Sequence, residues 1–368
     1  MSKRLSIHDP EGKPLYDICI EKDFDPFLDE IRKIPSLKGK RACIVADSNT
    51  SVLYADAVRQ CLAQSIPEIY VFSFPAGEMY KNLDTVTDLY RFLMQRQFDR
   101  SDFLIALGGG VVGDLCGFAA ATYLRGIPFI QVPTTLLAQS DSSIGGKTGV
   151  DLDGYKNMAG AFYMPRLVYM NVSALKTLSE RIYLSGMGEV IKHGLIKDNA
   201  FLRFLEESSR KILQRDVDIL MELAYGNCRI KGDIVEADPM EKGIRRILNF
   251  GHTLGHAIEK QLSNVLYHGE CVSIGMAAAG YIGFLKGTLS MPEVRQLCAV
   301  LRSFKLPVCA DFDHDEALAA TKNDKKMQSG QIAFVLLRRF GEAYVDMTVT
   351  EEEMAKALSY VNIRGLTV

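Results

Sequence analysis

The sequence has no cysteine pair of the CxxC kind. Its eight cysteines, Cys19, Cys43, Cys61, Cys116, Cys228, Cys271, Cys298 and Cys309, are scattered and lie mostly in apolar runs. That excludes a CxxC redox or zinc-ribbon motif and fits the reduced, buried thiols of a cytoplasmic protein. Net charge is nearly absent as well, at −2. No broad basic surface is available to hold a nucleic-acid backbone, so any anion-binding site must be local. Long apolar runs are missing: the longest, around Cys271 to Leu285, is too short and too rich in Gly and Ala to span a bilayer. The opening MSKRLSIHDPEGK has no apolar run after its basic residues, so neither export nor membrane anchoring is expected. There is no internal repeat and no low-complexity segment. What remains is an ordinary globular composition, 48% apolar and 24% charged, spread over 368 residues. One core rarely serves that length, and two domains are expected.

From residue 15 to about 172, short β-branched runs alternate with amphipathic stretches. LYDICIE, RACIVAD, EIYVFSF, DFLIALGG and PFIQVPT read as strands, while VLYADAVRQCLAQ and NLDTVTDLYRFLMQRQ carry helical spacing. Such alternation predicts an α/β domain with a doubly wound, mostly parallel sheet, in which ligands collect at the carboxyl ends of the strands. Asp47 closes the second of these runs, where a carboxylate suits ribose hydroxyls. Glu78 and Lys81 follow the third. The fourth ends in GGGVVGD, where glycines let a backbone approach phosphates and a helix N-terminus favours negative charge. Gly108, Gly110 and Gly113 satisfy GxGxxG, but at the wrong strand and with no acid about twenty residues on, so they are not the usual dinucleotide fingerprint. A tight turn explains them equally well.

After the fifth run comes PTTLLAQSDSSIGGKTGVDLDGYKN, a polar, aperiodic stretch expected to be a functional loop. Asp141, Lys147, Lys156 and Asn157 lie in it; taken alone, its lysines are ordinary solvated charges. From Ser173 on, the pattern is helical almost to the end, except for QIAFVLLRRFGEAYVDM, which reads as a hairpin. The expected domains are 1–175, sheet-based, and 176–368, mainly helical.

The stretch Glu241–Glu270, EKGIRRILNFGHTLGHAIEKQLSNVLYHGE, holds three of the six histidines. On a helix His252 and His256 share one face with Asn249 and Glu259, and a carboxylate from elsewhere would complete a metal site with one position open. A bare HxxxH is also compatible with polar residues packed at an interface.

Several blocks, in this order, resemble the signatures of the 3-dehydroquinate synthase family, sugar phosphate cyclases of the shikimate pathway of aromatic amino acid biosynthesis. They are GGGVVGDLCGFAAATYLRGIPFIQVPTTLLAQSDSSIGGKTGV, SGMGEVIKHGLI, GIRRILNFGHTLGHAIE and HGE. The resemblance runs from about Asp47 to Gly341. It implies that Glu189, His252 and His268 hold a divalent metal, zinc or cobalt, and that His256 faces the substrate's phosphate. It implies NAD along Asp47, Asn49, Glu78, Lys81, Gly110, Val111, Val112, Gly113, Asp114, Thr134, Thr135, Lys147, Lys156 and Thr177. It implies substrate contacts from Asp141, Lys147, Asn157, Lys192, Lys231, Glu241, Arg245 and Asn249, with Lys325 from the Asp324-Lys325-Lys326 stretch. A homodimer is implied too, in which Arg125 of YLRG reaches the phosphate site of the partner subunit. The sequence departs from the family's common pattern at Ser140 (Val), Tyr155 (Gly), Gly188 (Ala) and Pro239 (Glu); none of these removes a ligand or a charged contact.

The implied reaction converts 3-deoxy-D-arabino-heptulosonate 7-phosphate to 3-dehydroquinate and phosphate, with transient oxidation by NAD, elimination, reduction and aldol closure. Arg245, Lys147 and Asn249 would meet the carboxylate; Arg125, His256 and Asn157 would meet the phosphate. Three rivals are another sugar phosphate cyclase, which lacks that carboxylate or differs around it, a metal-dependent polyol dehydrogenase of the same plan, which would release NADH, and a non-catalytic NAD- or metal-binding protein that retains the scaffold.

Overall fold

The computed structural model describes residues 2–322, 327–328 and 331–364. The chain divides into two compact units, Met1–Leu178 with Val217–Met240, and Ser179–Asp216 with Glu241–Val368. Val217–Met240, which periodicity groups with residues 176–368, thus belongs to the first unit. An amphipathic pattern shows that a helix has an apolar face but not which core receives it.

The first unit is built on nine strands: β1 Lys3–His8, β2 Pro14–Glu21, β3 Ala42–Asp47, β4 Ile69–Phe74, β5 Phe103–Gly108, β6 Phe129–Pro133, β7 Lys147–Leu152, β8 Tyr155–Phe162 and β9 Leu167–Asn171. Seven form one sheet in the order β1-β2-β9-β6-β5-β3-β4. Only the β1–β2 pair is antiparallel. Alternate residues of β3 serve different cores. Ala42, Ile44 and Ala46 join Tyr54, Val58 and Leu62 on one face, while Cys43 and Val45 join Val86, Leu89, Leu115 and Cys116 on the other. A strand covered on both faces reads as a continuous apolar run, which is how β5 appears. The Val217–Ala237 helix lies against β1 and β2, where Lys3 pairs with Glu222 at 2.8 Å and His8 with Glu236 at 2.9 Å.

The stretch expected to be an irregular loop is partly ordered as the β7–β8 hairpin. Its composition hides the strands, because the hairpin uses glycine where the two chains come closest: a Cβ on Gly149 would lie 2.9 Å from the Ala159 carbonyl oxygen. The hairpin is seated on the Gly110–Thr122 helix, where a Cβ on Gly117 would lie 2.4 Å from Cγ2 of the buried Thr148.

The second unit carries helices Glu180–Lys197, Asn199–Leu213, His252–Leu262, His268–Leu285, Met291–Ser303, His314–Lys322 and Glu351–Val361. The expected hairpin pairs Phe334–Arg339 with Glu342–Asp346. His268–Leu285 is apolar all round and buried along most of its length. It packs against Glu180–Lys197, His252–Leu262, Met291–Ser303 and Glu351–Val361. Among the described residues, no helix is long and apolar enough to cross a membrane.

Gly117→Ala should destabilise the chain by about 1–3 kcal/mol through overpacking against Thr148. Adding Thr148→Ser removes the colliding methyl group and should return most of that loss in urea unfolding; no recovery in the double variant would place the strain elsewhere.

Candidate functional site

In the first unit the expected cofactor residues gather at strand ends. Asp47 ends β3 and caps the next turn, its Oδ1 accepting from the Asn49 and Thr50 amides at 2.9 and 2.8 Å. Its recorded side-chain hydrogen bonds all go to Oδ1, which leaves Oδ2 for a further donor. Asn49 is exposed beside it, and Glu78 is exposed in the turn after β4. Beyond β5, the Gly110–Thr122 helix begins at Gly109 without a side-chain cap, so the amides of Gly110, Val111 and Val112 are the uncapped donors of a helix N-terminus. Bulk is excluded along this turn and helix: a Cβ on Gly108 would lie 2.5 Å from Val112, and one on Gly113 2.8 Å from Gln131. The hydroxyl of Thr134, at the end of β6, is buried and makes no hydrogen bond.

Lys81 is 4% exposed and spans Asp114 Oδ2 at 2.6 Å and Asn157 Oδ1 at 2.7 Å. Burial works against its charge, but Asp114 and Glu78 outweigh it and raise its pKa. Asn157 has a left-handed φ of 53° and is held by Asp151, which accepts its amide at 2.8 Å. Lys231 donates to Asp141 Oδ1 at 2.6 Å, and the buried Asn227 donates to the Ser140 carbonyl at 2.7 Å, so the Val217–Ala237 helix pins the turn carrying Asp141. Lys147, Lys156 and Thr177 are exposed, with Thr177 hydrogen-bonded to Tyr54 and to the Ala174 carbonyl. Thr135 takes the Ala138 amide at 3.2 Å. Arg125 is exposed in a turn where Leu124 and Arg125 have φ of 50° and 67°, two successive residues in the region that favours glycine.

In the second unit Glu189 is 1% exposed in the middle of Glu180–Lys197. Its Oε2 is taken by Lys192. Its Oε1 makes no hydrogen bond, yet lies 3.4 Å from Nε2 of His252 and 3.4 Å from Nε2 of His268. The other ring nitrogens are engaged: His252 Nδ1 with the Phe250 carbonyl and His268 Nδ1 with Glu259, each at 3.1 Å. Both partners can only accept, so each Nδ1 carries a proton and each Nε2 turns its lone pair toward the Glu189 oxygen. Three acceptors facing one another require a cation between them or a proton on one ring. The donor set, two imidazoles and a carboxylate, suits zinc or cobalt with a position left open.

Electrostatics follow that geometry. Burial opposes ionisation of Glu189, but the ammonium of Lys192 and then His252 hold its carboxyl well below the usual range. Burial pulls His252 down. His268 is also disfavoured by burial, but contact with Glu189 and Glu259 carries it up to about 10. His256 lies on the face of His252, exposed, and the ligand atoms of His252, His256 and His268 are within 4.8 Å of one another.

The expected helix face joining Asn249 to His252 and His256 is not present. Ile244–Asn249 is a separate tight turn, and Phe250 with a left-handed Gly251 (φ 78°) breaks the chain before His252. Asn249 is therefore off the histidine face, and Arg245 and Asn249 do not align as they would on an α-helix. Asn249 donates to Glu241 at 3.3 Å, Arg245 is 2% exposed, and Arg246 is half-buried. Lys325 lies outside the described residues. Sequence reasoning missed Asn227 and gave Glu259 no task. Glu259's helical spacing from His252 was the available signal; nothing local marked Asn227.

Models of the 3-dehydroquinate synthase N-terminal and C-terminal regions match residues 71–185 and 186–327. A 3-dehydroquinate synthase of Acetivibrio thermocellus is 44% identical over 343 residues, 93% of this chain and 94% of that protein. The chain belongs to the 3-dehydroquinate synthase family. Among solved structures, the 2-epi-5-epi-valiolone synthase of Streptomyces hygroscopicus subsp. jinggangensis, with NAD+ and Zn2+ bound, is 27% identical, with a TM-score of 0.86 over 94% of this chain and 96% of that one. A 2-deoxy-scyllo-inosose synthase complexed with carbaglucose-6-phosphate, NAD+ and Co2+ shares the fold at TM-score 0.88 and 24% identity, covering 98% of this chain and 100% of that one. The sheet unit and the helical unit described above are therefore a fold that these two structures share.

A metal ion taking His268 Nε2 would have to displace the proton that contact with Glu189 and Glu259 holds there, with the pKa raised to about 10. Zinc affinity, measured by competition with a chelator, should therefore rise roughly tenfold per pH unit from neutral upward and fall on acidification. An affinity independent of pH would show that this imidazole is not a ligand.

Proposed function

We propose that the chain is a 3-dehydroquinate synthase acting on 3-deoxy-D-arabino-heptulosonate 7-phosphate, in the cytoplasm and as a homodimer. Family membership supports the reaction; the observation on this chain that carries it is the convergence of Glu189 Oε1 with Nε2 of His252 and His268. Glu189, His252 and His268 would hold the divalent metal. NAD would lie along Asp47, the Gly110–Asp114 turn, Thr134 and Lys81, for which the spare Asp47 oxygen, the uncapped helix N-terminus and the unbonded Thr134 hydroxyl are suited. When bound, the metal polarises neighbouring hydroxyls and NAD serves as a reversible hydride acceptor.

The protein's own groups bind and orient. Arg245, buried at 2% exposure, offers a guanidinium whose planar fork matches a carboxylate, and Glu241 orients the Asn249 amide for the same task. His256, exposed beside the cation site, takes the phosphate. Lys81 fixes the side chain of Asn157 and leaves its amide nitrogen able to donate. Lys192 keeps Glu189 ionised. With so much held in place, elimination and ring closure are chiefly matters of positioning.

Phosphate release from the heptulosonate substrate tests the reading, and accumulation of NADH without phosphate would favour the polyol dehydrogenase. His268→Ala should abolish turnover and leave the fold largely intact. Arg245→Lys should lose about 2 kcal/mol of transition-state binding, roughly thirtyfold in kcat/KM, with Arg246→Lys near neutral. Equal discrimination by wild type and Arg245→Lys against an analogue lacking the carboxylate would remove Arg245 from that role. If Arg125 serves the neighbouring subunit, mixing inactive Arg125→Ala and His252→Ala proteins should restore some activity on subunit exchange.

A further inference from the structure

We propose that Arg181 and Gly188 are positioning residues, which set the separation of Glu189 and His268 through the crossing of the two helices that carry them. The inference rests on the reading that these residues bind a divalent cation. Positions 181, 185, 188 and 189 lie on one face of Glu180–Lys197, and each meets the start of His268–Leu285. Arg181 binds Glu270 with two nitrogens, Nε to Oε1 at 2.8 Å and Nη2 to Oε2 at 2.7 Å. It also donates to the Val265 carbonyl and lies over the Tyr267 ring, 4.9 Å from its centroid. One turn on, the Ser185 hydroxyl accepts the Gly269 amide at 3.1 Å. A further turn on, a Cβ on Gly188 would lie 2.6 Å from the Gly269 carbonyl oxygen, and one on Gly269 only 1.8 Å from that of Ser185.

His268 sits inside this grip, with Tyr267, Gly269 and Glu270 all held. The contact at Gly188 is backbone against backbone, so it has no rotamer with which to give way. Metal–ligand distances tolerate only about 0.2 Å. A methyl group at 188 must move one helix relative to the other, and the next residue, Glu189, faces the ring of the residue before Gly269. The crossing therefore gauges the cation site, whereas Gly280, farther along His268–Leu285, meets only side chains, with Leu297 at 3.3 Å.

The test is a titration of the full chain with cobalt(II), followed by its visible d–d absorption, alongside thermal melting without metal. Wild type should bind one cobalt with a well-defined spectrum. Gly188→Ala installs the residue common in the family, but in this chain the two backbones cross too closely for its methyl group, so it should weaken binding on the order of ten- to hundredfold and change the spectrum. Arg181→Gln should weaken it about two- to fivefold, as suits a partly exposed ion pair. Gly280→Ala, which meets only the flexible end of Leu297 farther along the helix, should leave cobalt affinity and spectrum as in wild type. Should Gly188→Ala fail to fold, Arg181→Gln decides. Wild-type cobalt affinity and spectrum in both Gly188→Ala and Arg181→Gln would overturn the proposal and leave the metal reading standing, as would equal losses in Gly188→Ala and Gly280→Ala. Absence of cobalt binding by wild type would remove the metal reading and the proposal together.

Discussion

A buried carboxylate faced by two imidazole lone pairs is the constraint on which the helical unit depends. Glu189 cannot shed its charge without losing its attraction to Lys192, and it cannot turn to water, because it is 1% exposed. Its second oxygen needs a positive partner. Glu259 and the Phe250 carbonyl fix protonated nitrogens of His268 and His252 on the far sides of the rings, so the near side of each neutral ring can only accept. A divalent cation satisfies all three atoms, and a proton on His268 is the substitute when it is absent. The surrounding helices hold this arrangement against its own repulsion, and the largely apolar, enclosed helix His268–Leu285 begins with the polar residue that completes it.

The sheet unit concentrates polar groups at its strand ends without a basic surface. Uncapped amides at Gly110–Val112, a carboxylate with one oxygen committed to a cap, and a buried Lys81 held by Asp114 and Asn157 provide local polarity in a chain whose net charge is −2. Each belongs to an element whose other face lies in the core. The Val217–Ala237 helix extends the arrangement by fixing the Asp141 turn through Lys231 and Asn227.

The parallel core strands were legible because burial on both faces leaves uninterrupted β-branched runs, and Asp47 and the glycine turn were legible because ligands favour strand ends. The β7–β8 hairpin was not, since close strand approach at Gly149 and Gly160 replaced the bulky residues that mark a strand. Nor was the break at Phe250–Gly251: a helical pattern of apolar spacing runs through it, and only the left-handed φ of Gly251 shows that the chain turns there. Glu259 had the right spacing but no sign of its partner, because His268 comes from another helix.

By itself the sequence determined the class of fold and the family, and it singled out Glu189, His252 and His268, since periodicity and spacing are properties of the chain and these three stand in recognisable blocks. Tertiary structure decided which atoms face one another. That Glu189 offers Oε1 rather than Oε2, that both imidazoles present Nε2, and that Val217–Met240 serves the sheet unit all depend on long-range packing. Helix spacing fixes directions within one element, but the distance between ligands on different helices is set where backbones touch, at Gly188, Gly269 and Ser185, and nothing in their own sequence neighbourhoods states it.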